Sequence, residues 1–102
     1  MLERKGGVHK YEAMVMIKPD LSEEDKKTLF SQIADSITKQ GGSVTTASVW
    51  AEKRKLIFSI KRHTEATYYL VNFVAPPQNL ASIRQAYRLN EFILRALITR
   101  LG

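Results

Sequence analysis

A run of consecutive cations, Lys53, Arg54 and Lys55, offers the clearest chemistry in this sequence. Such side chains bind phosphate groups through charge and, for arginine, through a planar fork of N–H donors. The run follows Trp50, a residue type that often anchors binding interfaces. Residues 52–102 hold nine Lys and Arg against three Asp and Glu, and therefore supply the whole net charge of +6. This uneven charge predicts a surface for a phosphate backbone, the alternative being a basic bias of the surface in general.

Residue combinations that support catalysis or metal binding are nearly absent. The chain has no cysteine, and its two histidines, His9 and His63, lie in different segments without the spacing of metal ligands. No glycine-rich loop follows a strand and opens a helix, so the usual nucleotide-binding signature is missing. We therefore predict a protein that is not an enzyme and needs no metal or cofactor. No apolar run approaches the roughly 20 residues of a membrane span, so we expect no membrane partner.

The first elements follow from apolar periodicity. Residues 11–18 alternate as a strand, and Pro19 breaks that strand. Ser22 is the predicted N-cap of a helix that Gly41 and Gly42 end. The apolar stripe of this helix recurs every three or four residues, at Leu29, Phe30, Ile33, Ala34 and Ile37.

The cationic run lies inside a long β segment. Residues 43–62 read as β throughout, which is too long for one flat strand in a small domain. We predict either a bulge or bend near Ala51 and Glu52, or a twisted ribbon that reaches beyond the core. The alternation predicts one buried face, formed by Leu56, Phe58 and Ile60. The following link, residues 63–66, lacks the Asn-Gly signal of a tight hairpin.

Three more elements complete the chain. Residues 67–75 form a strand, Pro76 and Pro77 open a second helix, and residues 91–99 form the last strand, with Phe92, Leu94, Ala96 and Ile98 on one side. The order β-α-β-β-α-β predicts an α+β, ferredoxin-like fold: a four-stranded antiparallel sheet with both helices on one face. We expect residues 10–102 to form this single domain, after a flexible basic leader at residues 1–9.

The sheet face without helices is the second candidate surface. In the third strand Tyr69, Val71 and Phe73 share the side predicted to face the helices. The open face would then be unusually apolar, which suggests a protein partner or stacked bases, the alternative being scattered surface hydrophobes. Its expected members are Met14, Met16, Tyr68, Leu70, Asn72, Arg95 and Leu97.

The sequence matches poorly two families that share this topology, the acylphosphatases and the RNA-recognition motif. An acylphosphatase needs an arginine in an anion-binding loop after the first strand, but residues 18–22 contain no arginine and include Pro19 and Asp20. The RNA-recognition motif begins its central strand with a basic residue and glycine. Residues 66–73 lack that start and match only at Tyr68, Val71 and Phe73, so base stacking on this strand is not expected.

Five motifs in order resemble the bacterial-type small-subunit ribosomal protein six family, over roughly residues 10–100. They are Tyr11-Glu12 with Lys18-Pro19, Gly41-Gly42, the segment from Trp50 to Ile60 with its Lys-Arg-Lys-Leu run, Tyr68 to Phe73, and Arg88 to Arg95. The chain departs from the family at residues 57–59, where Ile-Phe-Ser replaces Ala-Tyr-Pro, and by one extra residue after Trp50.

The resemblance implies a structural component of the small ribosomal subunit. It implies binding to the central domain of the small-subunit rRNA, together with small-subunit ribosomal protein eighteen, on cytoplasmic ribosomes. The basic leader fits an organellar version as well. A dimeric ferredoxin-like domain that binds a small molecule or regulates is the alternative function. The candidate RNA contacts are Tyr11, Lys53, Arg54, Lys55, Arg88 and Arg95, and the candidate partner contacts are Trp50, Tyr68, Leu70 and Leu97.

Overall fold

The computed structural model describes residues 7–101 and confirms the predicted ferredoxin-like topology. The four strands form one antiparallel sheet in the order β2-β3-β1-β4. The predicted leader falls mostly on residues 1–6, outside the described residues, and His9 already belongs to the first strand. The elements are β1 (His9–Ile17), α1 (Glu23–Lys39), β2 (Ser43–Ile60), β3 (His63–Ala75), α2 (Leu80–Leu89) and β4 (Ile93–Leu101).

Both ends of α1 form as the sequence predicts. The Ser22 hydroxyl accepts a hydrogen bond of 3.1 Å from the Asp25 amide and so caps the first turn. At the other end Gly41 takes a φ of +80°, and the Gly42 amide donates to the Ile37 carbonyl at 2.9 Å. A Cβ on Gly42 would lie 2.6 Å from a β3 carbonyl oxygen, so this close approach of α1 to the sheet requires glycine.

Both helices pack on one face of the sheet and enclose the main core. Residues facing inward from α1 and α2, such as Ile33 and Ile83, meet Val15 of β1 and Phe73 of β3. The predicted inward face of β3 is therefore confirmed. Phe30, at the edge of this core, is only partly buried and stacks on Tyr69 with ring centroids 3.9 Å apart.

The long β2 strand bends where the sequence suggested. Its pairing with β3 shifts register between Ala51 and Arg54, and Lys53 takes a φ of +48° within that bulge. The Lys53 amide donates to the buried Thr67 hydroxyl at 3.2 Å, which fixes the bulge to β3. The β2–β3 hairpin is therefore a bent ribbon.

The last of four register shifts along the β2–β3 pairing corrects the predicted buried face of the ribbon. Lys55 pairs with Glu65 and Ile60 with His63, so five steps along β2 match two along β3. Residues 56–59 are therefore looped out, and Phe58, expected to be buried, is 81% exposed. Because a bulge breaks the two-residue alternation, the apolar pattern alone could not predict which side chains face inward.

The hairpin turn also lies earlier than predicted. β3 begins at His63, and the turn consists of Lys61 and Arg62, with φ values of 49° and 71°. Two positive φ angles are typical of the tight turns that join hairpin strands, where asparagine and glycine are usual. The chain makes this turn with two long cationic side chains instead.

The ribbon tip packs on the open face of the sheet around a small second core. Leu56 and Ile60 lie against Met16, Ala66 and Leu94. The predicted placement of Leu94 with Ala96 and Ile98 is wrong, because the pairing of β1 with β4 shifts at Ile17 and turns Leu94 to the open face. The chain's own ribbon thus covers the part of the open face around Met16 and Leu94.

Alkaline pH should destabilise the main core through Tyr87. Burial raises the pKa of this phenol to about 12 and outweighs the opposing effect of the Ser36 side chain. An unfolded tyrosine ionises near pH 10, so stability is unaffected below that pH and falls as the pH rises from about 10 to about 12. We expect a loss on the order of 2–3 kcal/mol from this residue in denaturant unfolding, and the pH dependence that it causes should disappear in Tyr87→Phe. An unchanged pH profile in Tyr87→Phe would contradict this.

Candidate nucleic-acid and protein interface

The centre of the open face is an apolar row that crosses the sheet. Met14 of β1 pairs with Leu70 of β3 on one side and with Leu97 of β4 on the other. Leu97 is 54% exposed, and the other two are partly buried. A row of this kind on a sheet face with no helix over it suits a protein partner.

Trp50 lies beside this row, on the edge strand β2. Its indole meets the Tyr68 ring edge-on, with centroids 5.7 Å apart, and it remains 54% exposed. The Arg54 guanidinium lies 5.1 Å from the indole centroid, a cation–π arrangement. Trp50 belongs neither to the main core nor to the small core under the ribbon, so these contacts hold an exposed aromatic ring in place.

A polar row borders the apolar one. Glu12 of β1 pairs with Asn72 of β3, and the Asn72 amide donates to the Thr46 hydroxyl at 3.1 Å. The other amide atom, Asn72 Oδ1, is buried and accepts no hydrogen bond within residues 7–101. An unpaired buried acceptor of this kind costs on the order of 1–3 kcal/mol.

The structure brings some of the predicted RNA contacts together and separates others. Lys55 and Arg95 line one cleft of about 430 Å³ beneath the looped-out residues 56–59. Arg54 turns toward Trp50, and Lys53 is exposed at the bulge. The cationic run therefore spreads around the ribbon instead of forming a single stripe.

A second cleft, which we call the α2–β4 pocket, contains the other predicted cation, Arg88. Arg95 lies between the two clefts and lines both. Lys61 and Arg84 line the α2–β4 pocket too, and we had not predicted them as contacts. The spacing of Arg84 and Arg88, four residues apart on one helix, was a signal that could have identified Arg84.

Tyr11 corrects the predicted list of RNA contacts. Its side chain is 3% exposed in the main core, and its ring centroid lies 5.6 Å from that of Phe73. A ring packed in this way cannot stack on a base without leaving the core. Its position in the β1 motif reflects packing between sheet and helices.

Within residues 7–101 no group of three or more His, Asp or Glu side chains is placed to hold a metal ion. None of the helices in this part of the chain has the length and apolar character needed to cross a membrane.

The fold and this surface together define a ferredoxin-like protein with an exposed, partly apolar sheet and flanking cations. Residues 10–100 match the family described as ribosomal protein S6, and the chain belongs to that family. This membership confirms the resemblance seen in the sequence and the predicted location on cytoplasmic ribosomes.

Relatives and a solved structure agree with this assignment. "Small ribosomal subunit protein bS6" of Dictyoglomus turgidum is 42% identical over 94 residues, 92% of this chain and 96% of the relative. The protein of the same name from Caldanaerobacter subterraneus subsp. tengcongensis is 37% identical over 88% of this chain and 94% of its own. The crystal structure of 30S ribosomal protein S6 from Thermotoga maritima superposes with a TM-score of 0.83 at 26% identity, covering 93% of this chain and 89% of that one.

Proposed function

We propose that the protein is a non-catalytic component of the small ribosomal subunit that binds the central domain of small-subunit rRNA together with small-subunit ribosomal protein eighteen. The observation that carries this proposal is an apolar open sheet face with one cation-lined cleft under its ribbon and another at its β4 edge. The identity of both partners comes from the family resemblance, and the residues supply the chemistry.

The open face supports a protein partner more than an RNA one. Its central row offers leucine and methionine side chains, and Trp50 adds a large ring at one end. Bases stack on the faces of flat rings, and the central row of Met14, Leu70 and Leu97 offers none. Protein eighteen is therefore proposed to cover Trp50, Tyr68, Leu70 and Leu97.

The cations support an RNA partner. Within residues 7–101 one salt bridge forms, between Lys26 and Glu23, so the cations of both clefts have no carboxylate within 4.0 Å. Phosphates of a nucleic-acid backbone would supply the missing negative charge without requiring any base sequence. The α2–β4 pocket does not favour the alternative of a bound apolar small molecule, because arginines line it.

The cationic run gives the most direct test of RNA binding. Changing Lys53, Arg54 and Lys55 together to alanine should weaken binding to a central-domain rRNA fragment in the presence of protein eighteen. Each lost phosphate contact lowers the slope of log affinity against log salt by about 0.9, so three contacts should lower it by nearly three units. Filter binding or fluorescence anisotropy across a salt series measures this slope.

A matched triple variant removes the same charge from the other side of the molecule. Lys26, Lys27 and Lys39 lie on α1, away from the open face, and their replacement by alanine should leave the slope nearly unchanged. Equal slopes for the wild type and the Lys53/Arg54/Lys55 variant would exclude the ribbon as an RNA contact. Failure of the wild type to bind the fragment with protein eighteen present would overturn the proposed function itself.

A further inference from the structure

The α2–β4 pocket gathers cations from three separate elements. It has a volume of about 340 Å³ and lies between the hairpin turn, α2 and the start of β4. Lys61 comes from the turn, Arg84 and Arg88 from α2, and Arg95 from β4. The other lining residues are uncharged: Tyr87, Ile93, Leu94 and Ala96.

The hairpin turn holds one of these cations in place. Lys61 Nζ donates a hydrogen bond of 3.3 Å to the Ile93 carbonyl, which ties the turn to the first residue of β4. Lys61 and Arg62 both take positive φ, a backbone conformation that is strained for residues other than glycine. The turn thus keeps two cations where asparagine and glycine would form it with less strain.

The charges in the pocket repel one another. Arg84 and Arg88 stand one helical turn apart, a spacing at which like charges are unfavourable. No carboxylate lines the pocket, and none of the described carboxylates lies within 4.0 Å of its cations. An anion that enters would therefore relieve repulsion from several elements at once.

We propose that the α2–β4 pocket holds consecutive backbone phosphates of the bound RNA, with Lys61 and Arg84 as contacts in addition to Arg88 and Arg95. The inference rests on the proposed function. Arginine forks suit phosphate oxygens, and the pocket is larger than one phosphate group, so it fits a stretch of backbone. Because Arg95 also lines the cleft with Lys55, the strand would continue from the pocket toward the ribbon.

The test removes two charges from the exposed surface of α2. The double variant Arg84→Gln and Arg88→Gln should lower the salt slope by about two units, and the affinity for the central-domain fragment roughly tenfold or more at 0.15 M salt. Lys61→Gln, made separately, should lower the slope by about one unit. A control, Lys27→Gln on α1, should change neither quantity. Circular dichroism melts verify that every variant is folded.

Three outcomes separate this inference from the proposed function. If the folded double variant binds the rRNA fragment with the affinity and salt slope of the wild type, the pocket is not a phosphate site. The proposed function then still stands. A double variant that keeps its RNA affinity but loses protein eighteen assigns the pocket to an acidic protein segment, which also overturns the inference. Absence of wild-type binding to the fragment overturns the proposed function, and the inference falls with it.

Discussion

Replacing Phe73 by alanine should lower the free energy of unfolding by about 3–5 kcal/mol, the largest stability effect that we expect from one substitution. The side chain is 1% exposed, near the C-terminal end of β3, where the sheet meets both helices. Its removal takes a large apolar area out of the core and leaves a cavity that β1 and β3, both internal to the sheet, cannot readily close. Urea unfolding at constant pH measures the loss.

Phe58→Ala is the matched control for Phe73→Ala. The chemical change is identical, but Phe58 is 81% exposed on the looped-out part of the ribbon. Its expected cost is below about 0.5 kcal/mol, as is usual for surface positions. A loss below about 1 kcal/mol for Phe73→Ala would mean that β3 presents its other side to the helices. A comparable loss for both variants would mean that the ribbon tip is buried.

The parts of the fold that depend on local interactions were predictable. The N-cap at Ser22 and the glycine stop at Gly41 depend on residues within one turn of the helix end. The alternation along residues 67–75 of β3 is regular because this part of the strand pairs with β1 without a register shift. Topology then followed from the order of the elements.

The ribbon was not predictable in detail, because its geometry depends on pairing between strands. The bulge at Lys53 and the looped-out residues 56–59 appear only when β2 is placed against β3. No glycine marks the turn at Lys61 and Arg62, so its position had no sequence signal. The predicted burial of Phe58 failed for this reason.

In the candidate site, too, some residues were predictable from local pattern and others depend on the tertiary fold. Exposure on the open face follows from the strand alternation, so Leu70 and Leu97 lie where expected. Tyr11 was misassigned because a motif match does not say whether a side chain serves packing or binding. Lys61 and Arg84 are distant in sequence, and only the fold of the hairpin toward α2 brings them to one pocket.

Loss of the partner protein is the largest binding effect that we expect. Leu70→Asp places a carboxylate in the central apolar row, next to Met14, and should weaken binding of protein eighteen by more than about 100-fold. Leu97→Asp also places a carboxylate in this row. Because Leu97 is 54% exposed, this substitution should affect folding less than Leu70→Asp. Trp50→Ala should weaken binding about 30-fold or more, as for anchor residues in other interfaces. Isothermal titration calorimetry with purified protein eighteen measures all three.

Leu89→Asp supplies the control for these charge insertions, because Leu89 is 73% exposed at the end of α2, on the helical side of the sheet. It should bind protein eighteen with wild-type affinity. Binding to the rRNA fragment should fall in the Leu70, Leu97 and Trp50 variants only when protein eighteen is included, since the phosphate-binding cations are intact in them. If the folded Leu97→Asp and Trp50→Ala variants bind protein eighteen as tightly as Leu89→Asp does, the interface lies away from the open face. The apolar row would then need another occupant.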